Sequence, residues 1–173
     1  MAKAFGARVI TTVRSRKGAE SIKELGADVI IDTSCTSAGE VLEAEAEKGT
    51  PVNVAMDCVC GKILEECLPH MARGGYWIVI STLGGIEANV LLRPVLTKAL
   101  HLVGSTLRSR APEFKAEILA DLVEKVWPKL ESGQIKPSIY KVMPIEQAEE
   151  AHGILERNEN VGKVVLKVCD EQE

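Results

Sequence analysis

Between Ala7 and Asp32 the chain reads ARVITTVRSRKGAESIKELGADVIID, and that order of residues leaves little choice of fold. ARVITTV mixes β-branched and apolar residues without alternation, the pattern of a parallel strand covered on both faces. Four polar residues and a glycine, RSRKG, then interrupt it. In AESIKELGAD, Ile22 and Leu25 fall three apart on one helical face, and Gly26 sits where a helix stops. VIID opens a second buried strand. Strand, helix and strand over this length make a right-handed βαβ unit.

The same grammar continues. A polar loop, TSCTSAG, leads to a helix from Glu40 to Lys48, and VNVAMDCV is the next buried strand, broken at Cys60-Gly61. KILEECLPHMARGG is a helix with Ile63, Leu64, Cys67, Leu68 and Met71 on one side, kinked or closed early by Pro69. YWIVIST is the most strand-like segment; VLTKALH follows as helix and LVGSTL as strand. Glu113 to Leu130 is a long helix whose apolar positions Phe114, Ile118, Leu119, Leu122, Val126 and Leu130 keep a three-to-four period. Strand and helix alternate five times before that helix, which gives an α/β fold with a mostly parallel sheet. Afterwards the order becomes strand (IYKVM), helix (EQAEEAHGILER), strand (VGKVVLKV) and a charged, solvated tail, DEQE. That change marks a chain leaving one domain for another, with 1–132 in the first and 133–173 in the second.

Met1–Gly6 reads as the last turn of a helix closed by a glycine C-cap. A doubly wound fold carries a strand and a Gly-rich phosphate turn just before such a helix, yet no G-x-G-x-x-G occurs here. The expected architecture is a Rossmann-like, mostly parallel sheet lacking its first strand and Gly-rich turn.

Aromatic residues make up only 3% of the chain, so Val, Ile, Leu and Ala must build the core. A net charge of −4, with no basic stripe interleaved with aromatics, argues against nucleic acid as a partner. No run of about 18 apolar residues occurs to span a membrane, and MAKAFGARV has neither a signal core nor a transit-peptide composition. Five cysteines, odd in number and scattered through buried elements, fit reduced thiols in the cytoplasm. Cys58-Val-Cys60 is no C-x-x-C, and His70, His101 and His152 stand alone, so no metal site is expected.

The end of the first strand carries the chemical signal. In dinucleotide-binding folds that position holds an acid when the adenosine ribose has a free 2′-OH, and an arginine lies nearby when it carries a phosphate. Here Val13 is followed by Arg14, Ser15, Arg16 and Lys17. Two guanidinium forks, a hydroxyl and an ammonium suit a dianion. A solvated basic loop between strand and helix has the same composition. A methyltransferase-like nucleotide fold would put an acid where Val13 stands.

The series KELGAD-VIID, VAMDCVCG, MARGGYWIVISTLGG, LVGSTLRSR, KVMPIEQAEEAH and NVGKVVL resembles the C-terminal portion of the zinc-independent, zeta-crystallin-like quinone oxidoreductases of the medium-chain dehydrogenase/reductase superfamily. STLRSR is most similar to the branch that includes the p53-inducible quinone oxidoreductase. The resemblance implies a truncated cofactor-binding half. Its C-terminal strand-helix-strand would return to a GroES-like catalytic domain outside this sequence. In the intact enzyme it implies NADP(H)-dependent hydride transfer to a quinone or conjugated carbonyl, with the fragment alone inactive.

The site residues implied by the resemblance are these. Arg14, Arg16 and Lys17 match the 2′-phosphate segment, and Thr33 stands where relatives carry an aromatic or histidine against adenine. Cys58 and Gly61 match the turn near the riboses. Ser81, Thr82 and Leu83 match the nicotinamide side, Thr106 and Leu107 the carboxamide contact, and Asn160, Gly162 and Lys163 the C-terminal turn that returns to the cofactor. No side chain has a claim to be a catalytic acid or base. The resemblance also implies a homodimer paired through the edge strand at Leu102–Leu107. A non-catalytic dimerising module is the alternative reading.

Overall fold

The opening βαβ unit forms as its sequence requires. Ile10–Val13 (β1) and Val29–Asp32 (β2) pair in parallel, with Val13 opposite Asp32. Arg16–Lys23 (α1) connects them. Its N-cap is Ser15, whose Oγ accepts from the Gly18 amide at 3.2 Å. Leu25 lies beyond the end of α1 and is half exposed, so only Ile22 of the expected apolar pair stays in the helix. The computed structural model describes residues 1–169; the DEQE tail lies outside the described residues.

Val54–Asp57 (β3), Tyr76–Val79 (β4) and His101–Gly104 (β5) form a second parallel ladder in that order. Ala38–Glu47 (α2) begins two residues earlier than the sequence reading, because Ser37 caps it by accepting the Glu40 amide at 3.4 Å. Lys62–Cys67 (α3) passes into a single 3-10 turn at Leu68–His70, where Pro69 closes it early. Leu92–Lys98 (α4) leads into β5, whose first residue His101 stacks on Tyr76 with ring centroids 4.2 Å apart.

The expected long helix is two. Pro112–Lys125 (α5) and Trp127–Glu131 (α6) meet at Val126, since Pro128 brings no N–H and its ring excludes a continuous helical turn. Its apolar stripe is not core either. No α5 residue is buried, and Leu119 is 61% exposed; Val126, at the junction, is the one of the six that is buried. Ile139–Pro144 (β6), Ala148–Glu156 (α7) and Lys163–Lys167 (β7) make a separate parallel pair with a core of Met143, Ala151 and Ile154.

Ile31, Ala38, Leu42, Leu64, Cys67, Leu68, Met71 and Trp77 share one apolar cluster, so α2 packs β1–β2 against the β3–β5 ladder. The join is pinned by Glu45, 4% exposed, which pairs with Arg8 at 2.6 Å and accepts from the Thr50 hydroxyl at 2.9 Å. Among the described residues, β1 and β3 are not hydrogen-bonded to each other. A doubly wound sheet runs 3-2-1-4-5-6. Among the described residues the orders β2-β1 and β3-β4-β5 match its 3-2 and 4-5-6 stretches, and a cleft lies between β1 and β3.

Candidate cofactor site

Parallel pairing puts the carboxyl ends of β1 to β5 on one rim, the place where open α/β sheets hold ligands. Five of the six groups of expected site residues sit directly on it. Arg14 follows β1, Thr33 follows β2, Cys58 follows β3, Ser81–Leu83 lie just past β4, and Thr106–Leu107 lie just past β5.

At β1, Arg14 is exposed and its Nη2 donates to Asn158 Oδ1 at 2.7 Å. Asn158 is uncharged, so the bond orients the guanidinium without neutralising it. Arg16 opens α1 and lies 3.6 Å from Glu20, an exposed i,i+4 pair of little energetic weight. Lys17 stands in the same first turn; its side chain lies outside the described ones. The α1 N-terminus, its partial positive charge and two arginines thus share one end of the strand. Thr33 closes β2 onto β1, its hydroxyl donating to the Val13 carbonyl at 2.9 Å.

The turns after β3 and β4 are knotted together. Asp57, buried at 6% exposure, accepts the Val59 and Cys60 amides on Oδ1 at 2.8 and 2.9 Å and the Trp77 indole N–H on Oδ2 at 3.0 Å. The Leu83 and Gly84 amides donate to the Cys58 and Val59 carbonyls. Gly61 takes φ 55, ψ −127, and a Cβ there would stand 3.1 Å from the Gly84 carbonyl oxygen. Glycine is required by that approach of two backbones. Cys58 is exposed on this knot, whereas burial pushes the Cys67 thiol behind it up to about 12. Ser81, Thr82, Leu83, Thr106 and Leu107 leave their side chains partly or fully exposed to the rim.

The sixth group lies in the α7–β7 turn, close in sequence to the residue that meets β1 from the other end of the chain. Asn160 donates its Nδ2–H to the Gly162 carbonyl at 2.8 Å, and the Lys163 amide donates to Ser138 at 2.9 Å. At Gly162, φ is 104, and a Cβ would fall 2.5 Å from the Ser138 carbonyl oxygen. These three residues shape the α7–β7 turn; it is Asn158, in the same turn, that touches the basic segment. Arg157 beside it is committed to Glu159 and Glu150, at 2.6 and 2.9 Å, and these bonds raise its pKa further. Sequence reasoning passed over Asn158 and Asp57. The signal for Asp57 was the single acid at the end of a buried strand, followed by a Cys-Val-Cys-Gly turn that needs its amides capped. Asn158 offered only a polar Asn-Glu-Asn turn.

Among the described residues no group of three or more His, Cys, Asp or Glu is placed to hold a metal ion.

Residues 1–125 match the zinc-binding dehydrogenase family. The chain is 31% identical to a quinone oxidoreductase of Rattus norvegicus over 96% of its own length and 49% of that protein's. It is 28% identical to an acryloyl-coenzyme A reductase of Sulfurisphaera tokodaii, with 96% and 45% covered. It therefore spans about half the length of the curated relatives it matches. Among solved structures it superposes on an NAD-dependent alcohol dehydrogenase with TM-score 0.72 at 27% identity, covering 97% of this chain and 46% of that one. A mycobacterial protein solved with NADPH gives TM-score 0.74 at 25% identity, with 96% and 51% covered. The fold, its parallel rim and these likenesses agree: the chain belongs to the zinc-binding dehydrogenase family of the medium-chain dehydrogenase/reductase superfamily, and matches its C-terminal half.

Proposed function

We propose that this chain is the cofactor-binding half of a cytoplasmic NADP(H)-dependent reductase that delivers hydride to a quinone or a conjugated carbonyl. One observation carries the cofactor reading: the strand end that holds an acid in NAD-binding folds is Val13 here, followed by Arg14 and Arg16 at a helix N-terminus. The NADPH-bound mycobacterial structure and the curated quinone oxidoreductases support it.

In this reading Arg14, Arg16 and Lys17 take the 2′-phosphate, and Thr33 borders the adenine. The Cys58–Gly61 turn lets backbone approach the riboses. Ser81, Thr82 and Leu83, with Thr106 and Leu107, line the nicotinamide side, and the turn of Asn160, Gly162 and Lys163 returns to the cofactor. The bound cofactor supplies the hydride; these residues orient it. The reaction is read as zinc-independent, as in the family resembled. Residues 1–132 act as the nucleotide-binding domain, and 133–173 return to the catalytic domain. The exposed outer edge of β5, with Leu102 half exposed, supports a homodimer. It equally supports the second reading, a dimerising module without catalysis.

Calorimetric titration of the chain with 2′,5′-ADP and 5′-AMP tests the cofactor assignment. Preference for 2′,5′-ADP, lost in Arg14→Ala and reduced in Arg16→Ala, is expected; equal binding of the two nucleotides overturns it. NADPH oxidation with a quinone by this chain alone is expected to be nil.

A further inference from the structure

We infer that Arg108, Arg110 and Lys115 form an anion subsite beside the hydride path, and that the conjugated carbonyl reduced there carries a phosphate monoester on its tail. The inference rests on the reading of Thr106 and Leu107 as the nicotinamide border, and it names the substrate class for that site.

Past β5 the chain runs Ser105-Thr106-Leu107-Arg108-Ser109-Arg110-Ala111 before α5 opens at Pro112. The Arg110 amide donates to the Leu107 carbonyl at 3.2 Å, closing a tight turn with Arg108 and Ser109 at its exposed tip. Lys115, one turn into α5, reaches back, and its Nζ donates to the Arg108 carbonyl oxygen at 3.2 Å. The Arg110 guanidinium carbon lies 5.1 Å from the centroid of the Phe114 ring. A carbonyl and a ring face orient these two cations without cancelling their charge. Glu113 and Glu117 stand in the same stretch of α5, yet among the described residues neither forms an ion pair with any of the three. Arg16, Lys125 and Arg157, by contrast, each face a carboxylate.

The chemistry of the cluster selects the ligand. Two guanidinium forks, an ammonium and the Ser109 hydroxyl outnumber what one carboxylate can accept, and they suit a phosphate dianion. The cluster's place selects the molecule that carries it. The proposed 2′-phosphate pocket follows β1, whereas β5 is the last strand of the other ladder. Arg108 and Arg110 lie two and four residues beyond Thr106, so their backbones stand at most about 14 Å from it. An anion held there belongs to the hydride acceptor, on a short tail. A plain quinone has no such group.

The test follows backbone amides of the 173-residue chain by NMR. The probes are the enone 6-hydroxyhex-3-en-2-one, its phosphate monoester, and glycerol 3-phosphate. Both phosphates should shift the Ser109, Arg110 and Lys115 amides saturably, and the phosphorylated enone should also move Thr106 and Leu107. The parent alcohol should bind at least tenfold more weakly. The double variant Arg108→Gln/Arg110→Gln should weaken both phosphates at least tenfold while its amide spectrum elsewhere keeps the folded pattern. Arg14→Ala should leave the response unchanged. Absence of saturable shifts overturns the inference, as do equal binding of alcohol and phosphate, an unchanged response in the double variant, or shifts confined to Arg14–Lys17. Thr106 and Leu107 unmoved by the phosphorylated enone would overturn the substrate assignment. Preference for 2′,5′-ADP is read at Arg14, so a failure of the cofactor reading shows there and a failure of the subsite shows here.

Discussion

The Arg14 guanidinium donates to the Asn158 side-chain oxygen at 2.7 Å, joining residues 144 positions apart. The bond ties the basic segment after β1 to the turn between α7 and β7, so the two ends of the chain meet at one point of the rim. If Arg14 reads a phosphate, Asn158 is a positioning residue for it. Asn158→Ala should weaken 2′,5′-ADP binding about fivefold, the worth of one oriented hydrogen bond near 1 kcal/mol, and leave 5′-AMP unchanged. Asn158→Asp should weaken it further by neutralising the guanidinium. Calorimetry on both variants measures this.

Asp57 caps two amides and the Trp77 indole from a buried position. Asp57→Ala leaves those donors unpaired, and should cost about 3 kcal/mol in urea unfolding. Trp77 emission should shift before global unfolding, because its hydrogen-bond partner is gone. An unchanged spectrum would contradict the arrangement.

Gly61→Ala should destabilise by about 2–3 kcal/mol, since φ 55 with ψ −127 strains any L side chain and the new Cβ meets the Gly84 carbonyl. Gly49→Ala serves as a control at a positive φ with nothing within 4 Å of the added Cβ, and should cost less. Chemical denaturation of the pair separates contact from conformation.

Acid should loosen the attachment of β1. The Val9 amide, then Lys3, holds the Asp28 carboxyl below the usual carboxylate range; for Glu45 the Thr50 hydroxyl leads, followed by Lys48 and Arg8. A carboxyl depressed in the folded state stabilises above its unfolded pKa, and that contribution disappears as pH falls through the folded value. Thermal stability should therefore drop below about pH 4, and Glu45→Gln should flatten that slope. A slope identical in wild type and variant would rule Glu45 out as its source.

Thiol reactivity should divide by burial. Cys35, Cys58 and Cys169 are exposed and Cys60 and Cys67 buried, the last with its thiol pushed up to about 12. At pH 8, Ellman's reagent should label the three exposed thiols quickly and the other two only on unfolding.

The sequence made the parallel strands legible because β-branched, apolar and aromatic residues dominate ITTV, VIID and YWIV, although β1 buries no residue and β5 is exposed throughout. The rim followed from them, since residues after parallel strands must share an edge. The cleft was foreshadowed by the helix-like turn before Ala7, and the core behind it by Ile63 to Met71. What stayed hidden needed neighbours distant in sequence. Nothing in Phe114–Leu130 shows that its apolar stripe stays exposed, although Pro128 does foretell the break. Nothing in an Asn-Glu-Asn turn announces a bond to Arg14. Asp57 was readable in hindsight, as an acid buried among aliphatics with an indole one strand away.

The join through α2 has a dynamic consequence. Because no strand hydrogen bond among the described residues crosses from β1 to β3, cohesion between the two ladders rests on side-chain packing, the Arg8–Glu45 contact and the bond that the Ser37 hydroxyl donates to Glu66. Each ladder can then open without tearing the other's backbone bonds. Hydrogen exchange should resolve them as two cooperative units, with β1, α1 and β2 opening at lower free energy than the sheet around Trp77.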